Sequence, residues 1–556
     1  MIQRGPTSKP MPLNICGSSV FGRYPKISIE KTYNMFISDQ WLVPYPGYQI
    51  AIPNLGKEGR GAYTSTKSGR IFAVFDNNVY LINLFFDQSL AKSFDTSAIK
   101  IGKLLTNTGI VYITENNKPQ ILISDNLALY IYDPTLSPAF QQVPNLDFVP
   151  GYVSFHDTYF LCAATQDNFY SPAATNTWRL SGQNDGLTWA DDAASIGLLQ
   201  TKADKTAAIT RFPSQGNVIL VLGQTVTEFW YDTGAQLFPY QRNNQMSIDY
   251  GCLSPATVVE MDEIVIWLAA NEKSGPIIMY STGGKPEKIT TDGIDYLFSQ
   301  LTNPSDSRAF IIRQDGHLIY HINFYTDNLS LFYDFNTQKF FHACDENLNY
   351  FIASQVVFFN NQYYFVSKNN GNLYAFDTIY TTYDGAEIPR IRTCKNIRLP
   401  SQEYFILNDI GFTIESGETN WQQQSTGPIN LITQDGKKLI TEGKGSIYMK
   451  TQDDNFILFQ NGNNFITQQS DPSNFDYLIS EQNGILNSTP RVDFSISIDG
   501  GSSFGNEWGY DLPPIGQRKN KLMWWQCGAA NDLVPQFKFW GMGRFVATDG
   551  IANIRQ

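Results

Sequence analysis

The chain has 556 residues, with 40 Lys+Arg against 52 Asp+Glu and a formal net charge of −12, so it lacks the cationic excess that a sequence-independent grip on phosphates needs. Charged residues make up 17% and aromatics 14%, which excludes a disordered chain and leaves a polar, weakly ionic surface. No run of about 18 apolar residues is present to span a bilayer as a helix, and the opening MIQRGPTSKPMPLNICGSS lacks the apolar core of a signal peptide.

In chain order, short runs rich in Val, Ile, Phe and Tyr alternate with Asn, Gly and Asp, the pattern of strands and tight turns. Residues 1–60 read as an N-terminal arm with the first strands. Arg70–Asn83 (RIFAVFDNNVYLIN) predicts a hairpin turning at Asp76-Asn77-Asn78. Gly109–Asp133 repeats the pattern, and further units start at Tyr152, Asn217, Glu263, Arg308 and Tyr350. The starts lie 39, 43, 65, 46, 45 and 42 residues apart. Sheets of short strands recurring every 40–50 residues or so predict a β-propeller of six or seven blades over 61–384. A set of two or three β-sandwiches is the competing architecture.

From about Asp384 the texture changes. Strand-like segments at Ile388–Arg398, Tyr404–Glu415, Arg491–Ile498, Lys521–Cys527 and Gln536–Thr548 predict a β-sandwich-like C-terminal domain made of 385–415 and 489–556. Between its halves, 416–488 carries INLITQDGKKLITEG (Ile429–Gly443), NFILFQNGNNFITQQ (Asn455–Gln469) and FDYLISEQNG (Phe475–Gly484). The Asp-Gly and Asn-Gly hinges predict an inserted module of β-hairpin repeats. The fold class is all-β.

Chemistry-bearing motifs are sparse. Cys16, Cys162, Cys252, Cys344, Cys394 and Cys527 lie far apart without a C-x-x-C pair, as reduced, buried thiols of a chain folded in a reducing cytoplasm would. GSSFG (Gly501–Gly505) matches G-x-S-x-G, but the Pro513-Pro514 pair that follows is poor material for the helix a nucleophile elbow needs. His317 and His321 flank HLIYH on a predicted strand, which holds them roughly 13 Å apart, too far to share a metal. Asp453-Asp454 reads as a solvated turn, since no acidic partner stands at calcium-loop spacing. Trp524, Trp525, Phe537, Phe539 and Trp540 alternate along strands, so they serve core packing or a subunit interface rather than a carbohydrate platform. Ser497–Phe504 (SIDGGSSF) fits the S-x-D-x-G-x-[ST]-[WF] hairpin of sialidase-like propellers, and Asn184–Trp189 (NDGLTW) is a looser copy. That element is a rigid hairpin tip. It nominates no catalytic, cofactor-binding or metal-binding residue.

The order of several further motifs resembles one family. Tyr33-Asn34-Met35 followed by PYPGY (Pro44–Tyr48), then WRLSGQNDG (Trp178–Gly186), then GQTVTEFWY (Gly223–Tyr231) ending in Gly234, then HLIYHINFYTDNLSLFYD (His317–Asp334), and finally the SxDGG hairpin with Leu522–Trp525 and Phe537–Phe545, resemble the packaged-DNA stabilisation or tail hub (nozzle) proteins of short-tailed bacteriophages. The likeness covers roughly Lys31–Glu415 and Arg491–Asn553, and 416–488 departs from it. The resemblance implies a structural virion protein of the tail, not an enzyme and without a cofactor, assembled in the host cytoplasm. It also implies a homohexameric ring that extends the DNA exit channel below portal and adaptor proteins, and docks a needle or plug and tail fibres or tailspikes. Packaged DNA would pass through without sequence-specific binding. A sialidase-like glycan-acting propeller and a protein-binding propeller scaffold are the alternatives.

Overall fold

Two-residue turns set the strand pattern. In the computed structural model, Arg70–Phe75 and Asn78–Phe86 pair antiparallel with Phe75 opposite Asn78, so Asp76 and Asn77 alone make the turn. Asp76 has φ +51°, the left-handed conformation that Asp and Asn adopt readily and that the twist of a hairpin favours. The same device recurs at Asp157 (φ +55°), Asp262 (+53°), Asp315 (+48°) and Asn360 (+47°), each opening a two-residue hairpin. The structure describes residues 9–23, 30–86, 94–190, 192–213, 215–235, 238–418, 431–432, 438–439, 490–512, 519–541 and 544–555.

The hairpins grow into antiparallel meanders that form a β-propeller. Blade 1 has strands Gly59–Ser65, Arg70–Phe75, Asn78–Phe86 and Phe94–Lys103, and blade 2 has Tyr112–Glu115, Ile121–Ser124, Leu129–Tyr132 and Phe140–Gln142. Blades 3 and 4 follow within Phe148–Leu198 and Thr206–Ile248, and blade 5 within Gly251–Lys288. A helix, Asp292–Ser299, stands between blade 5 and the next meander, Arg308–Ala343, which is blade 6. Blade 7 takes three strands from Ala353–Asp377 and its fourth, Gly47–Ile52, from the N-terminal arm, antiparallel to Leu373–Asp377. Six of these sheets stand alone, whereas blade 6 continues into a ten-stranded sheet. Apolar clusters fill every gap between neighbours: blades 1–2, 2–3, 3–4, 4–5, 5–6, 6–7 and 7–1. Each blade thus hides both faces, and the circle is closed by pairing rather than by a covalent link.

The remaining strands form two facing sheets. One extends blade 6 through Lys31–Tyr33 to Arg390–Thr393, Asp532–Trp540, Arg491–Ser497 and Trp508–Asp511. The other is built on Phe405–Glu418, flanked by Lys519–Ala530 on one side and by Gly550–Arg555 and Arg544–Ala547 on the other, with Lys9–Leu13, Trp41–Pro44 and Met35–Ser38 added at its far end. Side chains of both sheets, among them Leu13, Met35, Phe412, Phe494 and Phe537, share one apolar core. Strands from 1–60 therefore enter both the closing blade and these sheets. Leu431–Ile432 pairs antiparallel with Lys438–Leu439 on either side of Asp435-Gly436. The hairpins expected at Asn455–Gln469 and Phe475–Gly484 lie outside the described residues.

Candidate functional site

The residues with the strongest chemical appearance in the sequence are structural pins. His317 bonds Asp334 Oδ2 through Nδ1 (3.1 Å) and Ser38 Oγ through Nε2 (3.0 Å). His321, on the same strand, bonds the Tyr45 hydroxyl (3.0 Å) and Asn323 Oδ1 (2.9 Å), and burial pushes its pKa down to about 3. Each ring is committed to a different set of partners. Among the described residues no group of three His, Cys, Asp or Glu is placed to hold a metal. In the Ser497–Phe504 hairpin, Asp499 accepts the Ser502 and Ser503 amides (both 3.0 Å) and the Ser497 and Ser503 hydroxyls (both 2.6 Å), which holds its carboxyl well below the usual range. In the looser copy, Asp185 accepts Leu187 N–H and the Thr188 hydroxyl.

The five ordered motifs are also packing devices. Asn34 adopts φ +52° and joins three segments: its amide donates to the Pro389 carbonyl (2.9 Å), and its Oδ1 accepts Cys344 N–H (3.0 Å). Tyr45 stacks on Phe332 of blade 6 (4.5 Å) and Tyr48 on Tyr383 (4.4 Å). Arg179 is fully buried, donating from Nε and Nη2 to both oxygens of Asp167 (2.9 and 2.8 Å) and from Nη2 to Asp147 (2.7 Å). Glu228 accepts the Gln200 and Thr201 amides and the Trp230 indole N–H.

Two tyrosines pack toward the propeller axis. Tyr112 and Tyr152 contact one another (4.9 Å), and Tyr152 packs against the cores of blades 2–3, 3–4 and 4–5 together. Only a side chain at the axis reaches three interfaces. Arg308, at the start of the innermost strand of blade 6, donates to the Gly59 carbonyl of blade 1 (3.4 Å) and to Ser354 Oγ of blade 7, and pairs with Glu58 (3.3 Å), which also holds Lys368. This cluster ties the seam where the ring closes.

Outside the propeller, the sheet built on Phe405–Glu418 presents an apolar outer face. Trp525 (68% exposed) lies opposite Asp409, Ile551 (53%) opposite Gly411, and Ile406 (46%) opposite Arg555. Lys519 and Lys521 share the strand parity of Trp525 and are exposed. Of the aromatics expected at a subunit interface, Trp524 turns inward (6%), bonding the Trp508 carbonyl, and Phe537 and Phe539 are core residues. The doublet thus divides between core and surface. Its sheet parity, visible in the sequence only once strand limits are known, decides which ring is which.

The family model described as the bacteriophage P22 Gp10 β-propeller matches residues 33–381, more than half of the chain, from Tyr33 of the first motif to the end of blade 7. The chain belongs to this family. Membership in the P22 Gp10 β-propeller family makes it a phage protein of packaged-DNA stabilisation and a virion component, as the ordered motifs implied. None of the curated proteins matches it. Solved structures resemble it only distantly. The N-terminal domain of Nup159 is 10% identical, with 62% of this chain and 98% of that one aligned at a TM-score of 0.36. A catalytically inactive virginiamycin B lyase from Staphylococcus aureus is 12% identical, over 60% and 98%, at 0.38.

Proposed function

We propose that the chain is a structural tail component, a hub or nozzle subunit whose copies associate side by side into a ring, with the genome's exit path between copies. The observation that carries this reading is the tyrosine pair packed toward the axis of a DNA-stabilisation propeller. An axis toward which Tyr112 and Tyr152 pack gives no open bore to a duplex whose major groove alone is about 12 Å wide, so a channel needs several chains around it. Six copies, portal and adaptor proteins above, and a plug or needle with fibres or tailspikes below are the partners this reading assigns. Assembly takes place in the host cytoplasm, and the six free thiols suit a reducing compartment. The work is mechanical and needs no catalytic group.

The ring contact we assign is the face bearing Trp525, Ile551 and Ile406. Ring closure requires a heterologous contact, in which this face meets a different patch on the next copy. Mass photometry of the full chain, alone and with portal–adaptor complexes, should give a discrete ring. Trp525→Asp should shift it to monomer with an unchanged melting profile, because Trp525 is exposed in the single chain. A wild-type chain that stays monomeric in both settings overturns the reading.

A further inference from the structure

Where the helix Asp292–Ser299 and blade 6 meet the N-terminal arm, a cleft of about 410 Å3 opens, a volume within the range of small-ligand sites. Phe21, Leu297, Leu329 and Leu348 give it apolar walls. Two of its polar groups are donors without a partner among the described residues. His342 is 9% exposed, with its ring between Tyr33 (4.7 Å) and Phe21 (5.0 Å). Ser19 Oγ lies 2.7 Å from His342 Nδ1 and itself accepts Thr32 N–H (3.0 Å). The competing acceptor for the hydroxyl proton, the Thr32 carbonyl, is farther at 3.3 Å, so Nδ1 accepts and the hydrogen-bond pattern places the ring proton on Nε2. That N–H has no acceptor among the described residues. Neither has the Tyr33 hydroxyl, which burial keeps protonated by pushing its pKa up to about 12.

Two cations stand at the cleft. Lys31 lines it without an ion pair among the described residues, and Arg23 stands over Tyr296 at the rim, 5.6 Å from the ring centroid. Nearby acids are engaged: Asp345 accepts the Asn347 and Asn349 amides (2.8 and 2.7 Å), and Asp295 holds Lys288. Asn328 donates its side-chain amide to Asn349 Oδ1 (3.0 Å) and accepts Tyr350 N–H (2.7 Å). Two donors without a partner among the described residues, one on a buried ring and one on a half-buried ring, line the cleft together with the exposed cation of Lys31. The ligand that answers them is an anion with an apolar body. Val20, Tyr296 and Leu348 extend apolar surface on the rim at 50%, 40% and 51% exposure, beyond the reach of a small free acid.

We propose that this cleft binds an acidic side chain flanked by aromatic residues, presented by an extended segment of a partner protein. The carboxylate meets His342 Nε2–H, the Tyr33 hydroxyl and Lys31, while its neighbours cover the rim. The inference stands on the cleft alone and does not depend on ring formation.

Isothermal titration of the full chain tests it with three probes: a capped Phe-Glu-Phe peptide, its Phe-Gln-Phe counterpart, and 3-phenylpropanoate as a free acid. The Glu peptide should bind about tenfold or more tightly than either of the others, the difference expected of charge-assisted bonds with added rim contacts. Lys31→Met and His342→Phe should each weaken it several-fold. Equal affinity of the Glu and Gln peptides, no binding, or full affinity in Lys31→Met would overturn the proposal. A free acid as tight as the peptide would overturn its protein source. Lys31 is exposed, so that variant decides the matter even if His342→Phe fails to fold.

Discussion

His321 and His342 each sit where an imidazolium has no counter-charge: His321 among Tyr45, Phe310 and Phe351, and His342 between Tyr33 and Phe21. Burial pushes both down to about 3, against about 6.5 in the unfolded chain. The unfolded state therefore binds more protons at any pH between these values. Stability is fully present above about pH 6.5 and is lost as pH falls toward 3. Each histidine contributes a loss of about 2 kcal/mol between pH 6.5 and 5.0, a window above most carboxylate titrations. The urea midpoint of the wild-type chain should drop over that window, and in His321→Gln the drop should shrink to roughly half. An identical pH slope in the variant would mean that His321 is charged or hydrated in the folded chain. Arg179 follows the opposite rule, a buried cation held by two carboxylates. Both devices spend the polar residues of this propeller on fastening.

The strand Gly47–Ile52 is the clasp of the ring, and its first residue has no room for a side chain. A Cβ on Gly47 would lie 2.4 Å from the Tyr380 carbonyl oxygen and 2.6 Å from that of Thr382, and backbone cannot swing aside as a flexible side chain can. Gly47→Ala should cost about 1–3 kcal/mol, the usual penalty of overpacking. Limited proteolysis should then cut first near residues 378–386, beside the loosened clasp. A variant with wild-type resistance and melting would show that the clasp bears no strain there. This element also marks the limit of what sequence discloses. Hairpins such as Arg70–Asn83 were legible because the turn is local, two residues with Asp at the left-handed position. The clasp pairs Gly47 with Asp377, a contact whose cause lies in ring geometry, so 1–60 reads as a plain arm. The same holds for the cleft. His342, Ser19 and Tyr33 come from distant parts of the chain, and no spacing rule joins them. The resemblance reached the fold through PYPGY and WRLSG because those motifs hold blades together, and it carried no information about surfaces that partners would read.

At the scale of the molecule, the charge of −12 bears on how a packaged genome is stabilised. A wall that neutralised six to ten phosphates per copy would show steep salt dependence, with affinity falling by about 10³–10⁵ between 50 and 200 mM salt. DNA held that way would resist leaving. Acids are in excess here, and several of the cations are already taken: Arg60 spends its guanidinium on the Gly109, Asp76, Thr106 and Thr108 carbonyls, and Arg308 and Lys368 share Glu58. Lys519, Lys521 and Arg555 are exposed, but they border the Trp525 face, the one assigned to contacts between copies. The purified chain should therefore bind a fluorescent duplex more weakly than about 10⁻⁴ M at physiological salt, and the logarithm of its affinity should vary little with the logarithm of salt. Fluorescence anisotropy across a salt series measures both quantities. Micromolar binding with a steep slope would place a phosphate-gripping surface on the subunit, and retention would then rest on adhesion along the wall. With a flat slope, stabilisation of the packaged genome would not rest on a grip on phosphates by this subunit.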